Sequence, residues 1–226
     1  MRVLKFSLTI FAAMILSLGL INFAIGSSST AKSGLVGATE TLSSETTIPS
    51  TAAESYVVDG VHSTVGFFVR HLLINNVTGR FKEYTGTISY DSADISKSSV
   101  QFTAKVASID TGVQARDEHL RAADFFEVAK YPEMTFKSAR IEKKGKDSFI
   151  AHGTFTLKGV SKEIVIPFKV FGPIKDPFGK VRIGVEAGLI INRQDYGVTY
   201  SKTLDGGGLV VGNDVNIHFN LEAVKQ

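Results

Sequence analysis

From Tyr56 onward, apolar residues return at every second position, the spacing of half-buried β-strands. Val65, Phe67, Val69 and His71 share one face of a first segment, with Ser63 at its start. Val100, Phe102, Ala104 and Val106 share a second face, with Gln101, Thr103 and Lys105 opposite. Met134, Phe136 and Ser138 form a third set, and Ala151, Gly153, Phe155 and Leu157 a fourth. Ile164, Ile166, Phe168 and Val170 follow, then Ile183, Val185, Ala187, Leu189 and Ile191, and last Val215, Ile217, Phe219 and Leu221. Gly79 to Tyr90 adds a less regular strand carrying Phe81, Ile88 and Tyr90. Turn formers separate the segments, among them Asp176-Pro177-Phe178-Gly179. About eight short antiparallel strands, each with one apolar face, must close into a sandwich or a barrel. An eight-stranded barrel either fills its interior with side chains or holds one small ligand.

Two stretches interrupt this rhythm. One is His71 to Val77. The other starts at Thr111, where Thr111 and Gln114 have capping-box spacing and Gln114 to Arg121 holds good helix formers. Asp117 and Arg121 are spaced as an i,i+4 ion pair. Asp124 is placed to cap a second short turn bearing Phe125 and Phe126. Asp117, Glu118 and His119 fall on successive helical positions about 100° apart, so they do not converge on one reacting atom. These charges read as braces at a barrel rim, with Leu120, Phe125 and Phe126 closing the mouth.

The N-terminal quarter has a different texture. Arg2 and Lys5 precede an apolar run from Phe6 to Ile25, and Ala24-Ile25-Gly26 ends it in small-x-small form. Residues 1–26 are expected to be a cleaved secretory signal peptide. The alternative is an uncleaved membrane anchor, since about 20 apolar residues span a bilayer. Residues 27–55 are rich in Ser, Thr and Ala and read as a flexible linker, which leaves 56–226 as the folded domain. The net charge of +3 falls to +1 without the leader, so nothing in it selects nucleic acid as a partner. There is no cysteine, which excludes thiol chemistry and cysteine metal sites. Sixteen Phe and no Trp point to a smooth apolar interior.

Motifs that carry chemistry are sparse. None of the five histidines has helical zinc spacing, and no nucleophile elbow, phosphate loop or dinucleotide fingerprint occurs. The polar candidates are His71, Arg116, Asp117, His119, Arg193 and Tyr196, for head-group contact or rim bracing, with bracing favoured for Arg116 and Asp117. A catalytic alternative uses His71 and His119 with Asp117 as acid and base. A metal held by His71, His119 and a carboxylate is a further alternative, and a filled barrel serving as an interaction module is a third.

Six segments carry a resemblance in chain order: DGVHSTVGFFVRHL (59–72), VTGRF (77–81), SIDTG (108–112), RDEHLRAADFFEVAKYPEMTFKS (116–138), GTFTLKGVSK (153–162) and INRQDYG (191–197). Together they resemble the YceI-like family of lipocalin-like, polyisoprenoid-binding proteins, over Tyr56 to about Val224. The resemblance implies an all-β fold: an extended eight-stranded antiparallel lipocalin-like barrel with short helices near the cavity mouth. It also implies a long apolar cavity for an isoprenoid, isoprenoid-quinone-like or other long-chain lipid, export to the periplasm, and no established catalysis. No cofactor is required beyond a bound lipid. An apolar cargo implies transient membrane contact, and the oligomeric state, homodimer included, stays open. The expected ligand-binding residues are Phe67, Val69, His71, Phe81, Phe102, His119, Phe125, Phe126, Phe136, Phe155, Leu157, Phe168, Ile191, Tyr196 and Phe219.

Overall fold

The alternating segments pair into one antiparallel sheet that closes on itself. The computed structural model describes residues 53–203, 205 and 207–226. The expected leader at 1–26 and all but the last residues of the 27–55 linker lie outside them.

Eleven strands are present among the described residues: β1 (Glu54–Val58), β2 (Thr64–His71), β3 (Asn75–Phe81), β4 (Tyr84–Tyr90), β5 (Ser99–Lys105), β6 (Ile109–Asp110), β7 (Glu133–Lys143), β8 (Ser148–Leu157), β9 (Val160–Lys175), β10 (Val181–Asn192) and β11 (Val211–Lys225). They make eight staves, because β1 continues as β2, β3 as β4 and β5 as β6 after short breaks. β11 closes the ring by pairing twice, Val224 opposite Val57 on β1 and Ile217 opposite Phe67 on β2. Strand pairing begins at Glu54, two residues before the boundary that composition suggests.

The two interrupting stretches turn out differently. His71 to Val77 is mostly strand, broken only by a tight β2–β3 turn in which Leu72 and Leu73 both have positive φ. The second holds helix α1 (Gln114–Arg121) and bridges a gap where β6 does not reach β7. Arg121 fastens α1 to the wall by donating from Nε to Ala107 O at 2.7 Å and from Nη2 to Ile109 O at 2.8 Å. It therefore does not pair with Asp117. The Thr111–Gln114 capping box does not form either: Val113 is the N-cap residue and contributes no side-chain bond. Instead the Asp117 carboxylate reaches back and accepts from Thr111 N at 2.9 Å and Thr111 Oγ1 at 2.6 Å.

Closing the sheet takes local irregularity. A bulge interrupts β7 between Ser138 and Arg140, opposite Gly153 on β8. A Cβ at Gly153 would lie 2.3 Å from Lys137 O, so only glycine lets the bulged backbone come this close. The interior faces of the staves form one hydrophobic core, with Tyr56, Val65, Val106, Ile109 and Ile183 almost wholly buried.

Candidate functional site

The interior is hollow but divided. Two apolar-walled chambers lie within the barrel, each of about 90 Å³. The upper chamber lies towards α1 and the β2–β3 turn. The lower chamber lies towards the opposite rim, where Ile95 and Ser98 of the β4–β5 connection contribute to its wall. Phe155 lines both, so its ring stands at the boundary between the two spaces. The continuous long cavity implied by the resemblance is, in this conformation, two compartments. A volume of this size takes several water molecules, but walls without polar partners leave such space dry.

The expected apolar lining residues divide between the chambers. Phe67, Val69, Phe81, Phe125, Phe126, Leu157 and Ile191 line the upper one. Phe102, Phe136, Phe168 and Phe219 line the lower one. The period-2 pattern also contained Ile166, Ile183, Val185 and Leu189, which line the lower chamber and were not singled out. Nothing in the local sequence pointed to Tyr200, which stacks against Phe125 with ring centroids 4.6 Å apart.

His71, His119 and Tyr196 line neither chamber. His71 is half-buried at the end of β2, opposite Asn75 and Val211. His119 is on the outer side of Phe125, its ring edge-on at 4.9 Å, and its Nε2 is 2.5 Å from Asp124 Oδ2. Asp124 is thus the partner of His119, not the cap of a second turn. Tyr196 is buried edge-on against Phe155 at 5.5 Å, and burial pushes its phenol pKa up.

Arg193, 4% exposed, reaches the upper chamber wall, but its nitrogens turn to the backbone. Nε donates to Gly212 O at 2.9 Å and Nη1 to Val198 O at 2.6 Å, and burial lowers the guanidinium pKa. Asn192 accepts from Gln194 N at 3.0 Å, and Gly197 takes the left-handed conformation that ends the turn. The INRQDYG segment is therefore a self-capped turn riveted to β11 by Arg193.

The acid/base set does not assemble. Asp117 is committed to Thr111, Glu118 accepts from Gln114 Nε2 at 2.8 Å, and His119 is paired with Asp124. Among the described residues no hydrogen bond links His71, His119 and Asp117. The histidine metal site meets the same obstacle. Asp59, His62 and Glu222 do converge on the outer wall, but Arg182 already supplies the cation there. Its Nη1 lies 2.9 Å from Asp59 Oδ2 and 2.5 Å from Glu222 Oε1, and its Nε lies 2.7 Å from Asp176 Oδ2. Hydrogen bonds from His62, then Arg182, then the Val61 amide hold Asp59 well below the usual carboxylate range.

Comparison with known proteins places this geometry among relatives. A model of the YceI-like domain matches residues 56–223. A UPF0312 protein of Azotobacter vinelandii is 36% identical over 176 residues, 77% of this chain and 88% of that protein. Among solved structures, the Campylobacter jejuni YceI protein is 36% identical with a TM-score of 0.60, covering 70% of this chain and 90% of its own. Burkholderia cenocepacia BcnA gives a TM-score of 0.65 at 25% identity, covering 73% of this chain and 98% of its own. A polyisoprenoid binding domain from Saccharophagus degradans shares the fold at 22% identity and a TM-score of 0.59, covering 78% of this chain and all of its own.

Proposed function

The chain belongs to the YceI-like domain family, and from that premise we propose that it binds and carries a long-chain apolar lipid, isoprenoid or isoprenoid-quinone-like, inside its barrel. The observation that carries this reading is the pair of apolar chambers inside a closed barrel, with Phe155 at their boundary. The fold-level likeness to a polyisoprenoid binding domain supports the same choice of cargo.

Recognition along the tail is by burial alone, since the chamber walls offer no polar grip. Each CH₂ moved from water into such a space contributes about 0.8 kcal/mol. A tail of about 20 carbons therefore contributes about 16 kcal/mol, against association costs of about 4–15 kcal/mol. Each chamber is too small for such a tail, so binding selects a conformation in which Phe155 swings aside and the two spaces join. The polar head stays at a rim, where hydrogen-bonding groups and water are available. Carriage of this kind fits export to the periplasm by the segment at 1–26; N-terminal sequencing of the mature protein tests the cleavage after Gly26.

The test is a titration of delipidated protein with isoprenoid alcohols of increasing length, comparing wild type with Ala187→Phe. Ala187 lines the lower chamber, so the added ring shortens the space without touching the upper chamber. Affinity is expected to rise with tail length in the wild type and to level off early in the variant. Equal length dependence in both proteins, or no saturable binding, contradicts the proposal.

A further inference from the structure

The hairpin joining β9 to β10 lies at the lower rim and runs past the end of β8. Lys169 is the last β9 residue paired with β8, opposite Ser148, and the strand then runs on to Lys175. β9 thus outruns β8 by six residues, while β10 stays paired with β11 as far as Arg182, opposite Ile174, so the turn beyond Lys175 is the part that clears the sheet. Its turn is held without help from its largest side chain. Asp176 Oδ1 accepts from Phe178 N and Lys180 N, both at 2.9 Å, and Gly179 adopts φ +87°. Arg182 anchors the same Asp176 to the barrel. Phe178 is left 89% exposed, with Ile174 at 63% and Phe171 at 47%.

Cations surround these apolar groups. Lys175 and Lys180 flank the turn, and Lys143, Lys144 and Lys146 lie at the neighbouring β7–β8 hairpin, all exposed. The acids nearby are largely engaged: Asp176 with Arg182, and Glu142 with Arg140 and Lys144. Asp147 is the remaining carboxylate on the two turns. β1 also starts at this rim, Glu54 opposite Tyr90.

We propose that the β9–β10 arm is a membrane-docking wedge, with Phe178, Ile174 and Phe171 entering the outer part of an anionic bilayer and the lysines meeting its phosphates. A rigid apolar tip ringed by lysine suits that surface, because burial and headgroup attraction act together. Docking sets the lower rim of the barrel against the lipid, the side on which the lower chamber lies. A face that recognises another copy of the chain has no use for five exposed lysines of one sign, of which Lys144 alone meets a carboxylate among the described residues.

The sequence has no Trp, so full-length Phe178→Trp is a local reporter. It is mixed with phosphatidylglycerol vesicles carrying brominated acyl chains, with phosphatidylcholine vesicles as control. Blue-shifted, quenched indole emission is expected in the anionic vesicles and little change in the neutral ones. Adding Lys175→Gln and Lys180→Gln should weaken vesicle partition about fivefold per lysine. Salt at about 1 M, where screening acts within about 3 Å, should release the tip. An indole that stays unquenched while the protein sediments with anionic vesicles overturns the proposal, since another segment is then the anchor. A blue shift that depends on protein concentration and needs no vesicles overturns it in favour of self-association. Isoprenoid titration of the same variants reads the interior separately, so carriage and docking fail independently.

Discussion

Phe155 is the residue on which the interior turns. It is 3% exposed, touches both chambers and rests edge-on against Tyr196. Phe155→Ala should cost about 3–5 kcal/mol in the ligand-free protein, because truncating a buried ring removes contacts and leaves a cavity. A long tail refills that space, so the rise in Tm on adding a saturating isoprenoid should be larger in the variant than in the wild type. An equal or smaller rise would mean that the ring does not lie on the tail's path. At Arg182 the expected signature is in the pH dependence. Asp59 and Asp176 have folded-state pKa values below their ordinary ones, Asp59 through His62 and then Arg182, Asp176 chiefly through Arg182. A depressed carboxylate pKa contributes stability that is complete above the unfolded value of about 3.9 and lost as pH falls through the folded one. Arg182→Met should therefore lower Tm most near neutral pH, and the gap to wild type should narrow below about pH 4. A gap that stays constant down to strong acid contradicts this assignment.

At the scale of elements, sequence pattern served strands better than their connections. The period-2 alternation found the long strands because each keeps one face inside, a constraint written into neighbouring residues. It missed the breaks in the first staves, which depend on distant partners: Asp59 at the end of β1 is met by Arg182 and by Glu222 O, all far along the chain. The helix was legible, its braces were not. Asp117 turns back to Thr111, and Arg121 finds backbone oxygens in preference to the acid one helical turn away. The β2–β3 turn offers a direct test. Leu72 at φ 50° and Leu73 at φ 63° occupy left-handed conformations that cost an L-residue about 1–2 kcal/mol each. Leu72→Asn with Leu73→Gly, residue types that take consecutive positive φ at little cost, should raise the denaturation midpoint. The change is expected to be about 1–2 kcal/mol, tempered by the lost contact of Leu73 over Gly208. An unchanged or lower midpoint would show that the turn is not strained.

At the scale of the molecule, the apolar alternation narrowed the fold to a sandwich or a barrel, and the six-segment resemblance chose the barrel. The interior's division was legible in neither, because the chambers depend on how rings from different staves meet across the barrel. The polar candidates divided for a similar reason. Arg193 and Tyr196 sit in a turn whose sequence suggests chemistry, yet their surroundings commit them to bracing. What remains is an apolar interior with charged structure outside it. The most direct measurement is organic extraction and mass spectrometry of the protein purified from its native compartment. About one long-chain isoprenoid or related lipid per barrel is the expected result. Protein that yields no lipid, and takes up none after incubation with membranes from the same cells, contradicts carriage.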